Sequence, residues 1–254
     1  MPIDVAPRVI PVLQLSDGLL VKTVRFSKPK YIGDPVNTLR IFNDKEVDEV
    51  IVLDISASKR GKPPDFALLE RMASEAFMPL TYAGGVNSFE TAEAIFRLGF
   101  DKIGLETLFR FSPTTVGQLA SIYGAQSLVG MITLRERFGR PYLYHAEGRK
   151  SFWSKLQEVH EADFGEVLLN FAHVEGTRLG MPLRLIHEVA GSVSKPIIAT
   201  GGIGSMQHIR EGFQAGASGV GVGSLFCLHG ERRGVLISYP NREELNSLIR
   251  NRKP

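Results

Sequence analysis

The segment from Pro79 to Thr107, PLTYAGGVNSFETAEAIFRLGFDKIGLET, returns from Pro196 to Ser224 as PIIATGGIGSMQHIREGFQAGASGVGVGS. Pro79 aligns with Pro196, Gly84-Gly85 with Gly201-Gly202, and Thr107 with Ser224, with no insertion between them. Each copy reads as strand, double glycine, helix, strand and a small hydroxyl residue. The chain therefore divides into two similar halves, near 1–125 and 126–254. Each half carries its own candidate phosphate-binding corner.

Eight strand candidates alternate with helical patterns along the chain. They are RVIPVLQ (8–14), EVIVLD (49–54), PLTYA (79–83), KIGLE (102–106), SLVGMIT (127–133), EVLLN (166–170), PIIAT (196–200) and SGVGVG (218–223). Most are short and almost wholly apolar, as strands buried on both faces must be. Helix starts lie between them. Asp34-Pro35 places proline at the first helical position, where its missing donor costs nothing. Asn87 with Glu90 resembles a capping box. Ser112-Pro113 and Asn241 open two further helices. Eight such units in 254 residues predict one (β/α)8 barrel domain spanning 1–254. A doubly wound open sheet is the alternative, and the repeat disfavours it. Two long connections, 15–33 and 134–152, hold equivalent places in the halves, and long loops of this kind tend to be functional.

Composition narrows the function classes. With 43% apolar and 22% charged residues, the chain suits a large globular core. A net charge of +3 gives no strong footprint for nucleic acid. A single cysteine, Cys227, excludes an internal disulfide framework. No apolar run approaches the roughly 20 residues of a membrane span, and no signal peptide is evident. The expectation is a cytoplasmic protein without nucleic-acid or membrane partners. No His/Cys cluster has metal-ligand spacing, so neither metal nor cofactor is expected.

In a barrel, the carboxyl ends of the strands line the active face. The double glycines Gly84-Gly85 and Gly201-Gly202 follow strands three and seven. Thr107 and Ser224 follow strands four and eight. Glycine lets backbone donors approach an anion, and a following helix adds its positive end. One such pair alone reads better as a tight turn. Two at equivalent places, each with a hydroxyl beside it, point to a long ligand with a phosphate at each end.

These double glycines, with VIPVLQLSDGLLVKT, VIVLDISAS and FGEVLLNFAHVEGTRLG, resemble the cyclase subunit family of imidazole glycerol phosphate synthase over almost the entire chain. The resemblance implies a barrel of two half-barrels. It implies a heterodimer with a glutaminase subunit, whose ammonia passes through the barrel to a bisphosphorylated ribulosyl nucleotide. It places ligand contacts at Lys22, Gly84, Gly85, Glu106, Thr107, Asn170, Gly176, Thr177, Gly201, Gly202, Gly223 and Ser224. It also implies two catalytic aspartates, at the ends of strands one and five.

The chain departs from the family at that pair, with Gln14 and Thr133 at the two positions. Glutamine exchanges no proton near neutral pH, and a threonine hydroxyl is a poor acid. Asp54, ending strand two, is a further candidate for catalysis or for capping the loop that follows it. His173 is a candidate acid or base, or a surface histidine without a role. Glu106 stands where the family has asparagine, and a carboxylate there would repel phosphate. The second corner, around Gly176, Gly202 and Ser224, better preserves the family pattern.

The other end of the barrel keeps its charges. Arg8, Glu49, Lys102 and Glu166 lie at strand starts, where by composition they read as solvated strand ends, though two cations and two anions at one level could close a ring of salt bridges. By resemblance they match in type the family's ammonia gate. Asp101 and Gln126 match positions at its glutaminase-facing surface. The segments Lys30–Pro35 and Gly234–Pro240 resemble a branch associated with bacterial surface-polysaccharide synthesis, in which ammonia serves to form an acetamidino sugar. Three functions follow as expectations: an ammonia-receiving subunit of that branch, an active histidine-pathway cyclase with substitute residues, and a silent barrel binding a phosphorylated sugar or nucleotide.

Overall fold

Strands buried on both faces fit either an open doubly wound sheet or a closed barrel, and this chain closes the sheet. The computed structural model describes residues 6–145, 151–230 and 232–249. The barrel strands, numbered one to eight, are Arg8–Ser16, Val50–Asp54, Leu80–Ala83, Lys102–Leu105, Leu128–Arg137, Glu166–Phe171, Ile197–Thr200 and Gly219–Val222. Neighbours pair in parallel around the circuit, and strand eight closes onto strand one from Arg8↔Gly219 to Pro11↔Val222. The chain is a (β/α)8 barrel.

The repeat is visible element by element. Leu80–Ala83 corresponds to Ile197–Thr200, the helix Phe89–Arg97 to Met206–Gln214, and Lys102–Leu105 to Gly219–Val222. Each pair keeps the spacing seen in the sequence. The register repeats as well, with Ala83↔Gly104 answered by Thr200↔Gly221. The helix caps are equivalent: Ser88 accepts from the Thr91 amide, and Ser205 from the His208 amide. This differs from the expected Asn87–Glu90 box. Ser88 holds the extended backbone of a cap, so the cap sits one residue later than read. Bonds from its own amide and from the Ser88 side chain hold the Glu90 carboxyl below the usual range. Asp34 and Asn241 cap as expected, and Asn241 exchanges reciprocal bonds with Glu244.

The two long connections carry strands of their own. Leu19–Val24 runs back antiparallel on strand one and pairs onward with Ser27–Gly33. Arg140–Leu143 runs back on strand five. Strands one and five therefore project past the barrel rim, further than their apolar cores indicated. Residues 146–150 of the second connection lie outside the described residues.

Alternation along the strands separates two apolar regions. Ile10, Val12, Ile51, Leu53, Ala83, Val129, Met131, Leu168 and Ile198 fill the barrel interior. Their neighbours, such as Leu13, Val52, Tyr82, Ile132 and Leu169, pack outward under the helices. Polar side chains lie at both ends of the interior column. Among the described residues no helix is long and apolar enough to cross a membrane.

Candidate functional site

At the amino ends of the strands, the four charges expected at the entrance form a closed ring. Arg8 bridges Glu49 at 2.5 Å and also Glu166. Lys102 bridges Glu49 at 3.3 Å and Glu166 at 3.1 Å. Signs alternate around the circuit, so every charge has two partners of opposite sign. The Thr81 hydroxyl adds a bond to Glu49 at 2.9 Å, a contribution the sequence did not signal. Glu49 is nearly inaccessible, with 3% of its side chain exposed, and two cations and a hydroxyl partner its two oxygens. Glu49 and Glu166 are equivalent in the repeat, whereas both cations come from the first half.

Asp101 and Gln126 lie exposed near the same end. The Asp101 carboxylate accepts from the Leu80 amide at 2.8 Å and so also ties down the start of strand three. Gln126 folds back to donate to the Tyr123 carbonyl at 3.3 Å.

At the carboxyl ends, Gln14, Thr133 and Asn170 cap the interior column, each at least nine-tenths buried. Gln14 is held from both sides of its amide. Its Nε2 donates to Glu175 at 3.1 Å, and its Oε1 accepts from the Thr23 amide and hydroxyl, each at 3.2 Å. Thr23 donates to the other Glu175 oxygen at 2.8 Å, and the Phe26 amide joins at 3.2 Å. Thr133 donates its amide and its hydroxyl to the two oxygens of Glu106, at 2.8 and 2.7 Å. Gln14 and Thr133 thus each present a neutral side chain bonded to a glutamate from another element. Thr23 and Glu175 were not singled out from the sequence. Their role depends on the hairpin of the first long connection folding over strand one.

Asp54 is committed to its own chain. One oxygen accepts from the Ser56 amide and hydroxyl and the Ala57 amide at 2.8–3.0 Å, capping the helix Ile55–Arg60. The Tyr82 hydroxyl approaches the other oxygen at 3.5 Å. These contacts match the capping alternative read from the sequence.

Lys22, in the first long connection, is drawn into the barrel mouth rather than left in solvent. It is 4% exposed, and its ammonium donates to the Val12 carbonyl at 2.5 Å. The same nitrogen lies 2.7 Å from where a Cβ on Gly223 would stand, which brings it to the Gly223–Ser224 corner.

The double glycines meet a packing demand in both halves. A Cβ on Gly84 would lie 2.3 Å from the Asp54 carbonyl oxygen, and one on Gly201 2.8 Å from that of Phe171. Gly85 abuts Ala57 and the Lys62 carbonyl, while Gly202 abuts Val174 and the Gly180 carbonyl. All four have positive φ. Gly176 is pressed against the Thr23 carbonyl, and Thr177 bonds back to the Val174 carbonyl at 2.7 Å. Thr107 starts the short helix after strand four and is exposed, whereas Ser224 is buried at the equivalent place. Cys227 is buried, as a packing residue should be, and burial pushes its thiol up.

His173 is half-buried beside this mouth. Its Nδ1 accepts from the Glu136 amide at 3.2 Å, so that nitrogen carries no proton. Burial lowers its pKa, Glu136 opposes the shift, and Arg25 adds to it. A histidine depressed on folding contributes stability that is present above its unfolded value of about 6.5 and is lost as pH falls below it. Replacing His173 with Asn should therefore flatten the loss of stability as pH falls below about 6.5, read by urea unfolding at a series of pH values. An unchanged slope would show that His173 does not carry it.

The family described as histidine biosynthesis protein matches this chain over residues 8–232. A Pseudomonas aeruginosa protein provisionally named imidazole glycerol phosphate synthase subunit hisF2 is 41% identical over 245 residues, which cover 94% of this chain and 98% of that one. A Leptospira borgpetersenii protein provisionally named subunit HisF of the same synthase is 41% identical over 250 residues, covering 96% and 98%. The imidazole glycerol phosphate synthase subunit HisF of Corynebacterium urealyticum is 35% identical over 232 residues, covering 88% and 91%.

Proposed function

This chain belongs to the histidine biosynthesis protein family, and from that premise we propose that it is a cyclase-like subunit that receives ammonia from a separate glutaminase and has no histidine-pathway cyclase activity of its own. The ammonia serves amidation of a surface-polysaccharide sugar. The observation that carries this reading is the contrast between the two ends of the barrel. The entrance keeps a complete ring of alternating charges. At the mouth, the two positions of the family's acid–base pair are neutral and bonded inward.

The interior between them suits the cargo. In bulk water near neutral pH, ammonia is almost all ammonium, which is no nucleophile. The column from Ile10 to Ile198 is apolar. Such a column admits a small neutral molecule and excludes an ion, whose desolvation goes uncompensated. The ring shuts the lower end to water and opens when two ion pairs part.

The docking half is tested by sedimentation velocity with the glutaminase encoded in the same gene neighbourhood. A one-to-one complex is expected. Asp101→Lys should weaken it at least tenfold, about 1.4 kcal/mol. Asp101→Asn, which keeps an acceptor for the Leu80 amide, should weaken it less. A mixture that sediments as two separate monomers would sink the reading and leave a silent phosphosugar barrel.

A further inference from the structure

The pseudo-twofold relates the residue after strand four to the residue after strand eight, and these two corners carry opposite charge. In the first half the residue is Glu106. Its carboxylate is fixed by the amide and hydroxyl of Thr133, at 2.8 and 2.7 Å. Among the described residues it forms no ion pair within 4.0 Å. Arg110, one turn on, is exposed and reaches instead to the His145 carbonyl at 3.4 Å. In the second half the equivalent residue is Gly223. The space its side chain would fill holds the Lys22 ammonium, 2.7 Å from the position of a Cβ. Lys22 is 4% exposed, and the single bond described for its three N–H groups goes to the Val12 carbonyl. A buried ammonium with spare donors favours an anion beside it.

Strands four and eight stand four places apart in a closed ring of eight, so the two corners face each other across the mouth. A ligand lying between them meets a cation at one end and a carboxylate at the other. We propose that the mouth takes a ligand with a single phosphate. The phosphate sits at the corner of Lys22, Gly223 and Ser224, and Glu106 receives an uncharged or cationic end that donates hydrogen bonds. This rests on the reading of the mouth as a ligand site, and it replaces the ligand phosphorylated at both ends that the repeat alone suggests. Glu106 is then a specificity-determining residue. It repels a second phosphate and accepts from hydroxyl or amino groups, as befits a sugar phosphate or a sugar-amine phosphate.

The test uses inorganic phosphate as the probe and isothermal titration calorimetry on the full chain. Wild-type protein should bind one phosphate. Glu106→Gln preserves an acceptor for Thr133 and should bind two, or bind a second at least tenfold more tightly than wild type. Lys22→Met should weaken the first site at least tenfold and leave the melting transition cooperative. Glu106→Asn serves as a second variant if Glu106→Gln melts early. Two equal sites in the wild type, or one site in both Glu106 variants, would overturn the proposal and leave the glutaminase reading standing. So would a Lys22→Met protein that binds phosphate like wild type. No phosphate bound by any of them would overturn it too, while sedimentation with the glutaminase still decides the docking reading separately.

Discussion

Given ammonium salt and the bisphosphorylated ribulosyl nucleotide of the histidine pathway, the protein should turn over at least about 10²–10⁴-fold more slowly than a histidine-pathway cyclase. That range is the typical contribution of one well-placed acid or base, and on the proposed reading Gln14 and Thr133 replace two. The structure strengthens the expectation. Gln14 is bonded to Thr23 and Glu175, and Thr133 to Glu106, so neither is free to swing toward a substrate. Asp54, the nearest substitute named from the sequence, is engaged as a helix cap. Restoring both aspartates, Gln14→Asp with Thr133→Asp, should recover little. The new carboxylate at 133 would face the Glu106 carboxylate at close range, and like charges there keep one of them protonated. Adding Glu106→Asn should raise turnover further than the double variant does. The measurement is steady-state cyclisation at saturating ammonium. Wild-type turnover within about tenfold of an ordinary family member would overturn the reading and make the chain an active cyclase.

The second large effect is expected at the entrance. In Lys102→Ala, Glu49 and Glu166 keep only Arg8 as a shared cation. Removing one partner from a buried ionic group costs about 3–5 kcal/mol, because the remaining charge stays buried without compensation. The lower end applies here, since Arg8 still neutralises part of the pair and the Thr81 hydroxyl still serves Glu49. Chemical denaturation should report about 3 kcal/mol. Docking, which uses the surrounding face, should be largely unaffected. Glutamine hydrolysis by the complex should continue while ammonia delivery falls, so hydrolysis and amidated product would no longer match one to one. Lys102→Met, which keeps the bulk of the stem, separates lost charge from lost packing. Coupled hydrolysis and product formation in both variants would show that the ring is only structural.

The barrel was legible because its signals are local and repeated. Strands buried on both faces must be apolar runs, and the spacing of Gly84-Gly85 and Gly201-Gly202 disclosed the two halves before any contact was known. The entrance charges were named through the family resemblance. Their places at strand starts read by themselves as ordinary solvated ends, and only the structure shows Arg8, Glu49, Lys102 and Glu166 paired in a ring. Other positions depended on the chain folding back on itself. The bond from Gln14 to Glu175 spans 161 residues and needs the first hairpin to lie over strand one. Nothing near Lys22 in the chain indicates that its ammonium ends beside Gly223. Equally, Glu106 reads as a carboxylate in a phosphate corner until Thr133, on the next strand, is seen to hold it. The sequence by itself determined the barrel and its two halves, and through the family resemblance it named Gln14, Thr133 and the four strand-start charges. Only the tertiary structure decided that Asp54 caps a helix, that Gln14 and Thr133 are bonded to glutamates, and that the two corners differ in charge. The physical reason is that backbone architecture follows from burial patterns within each segment, whereas the charge a site presents depends on which distant side chains desolvate and pair with one another.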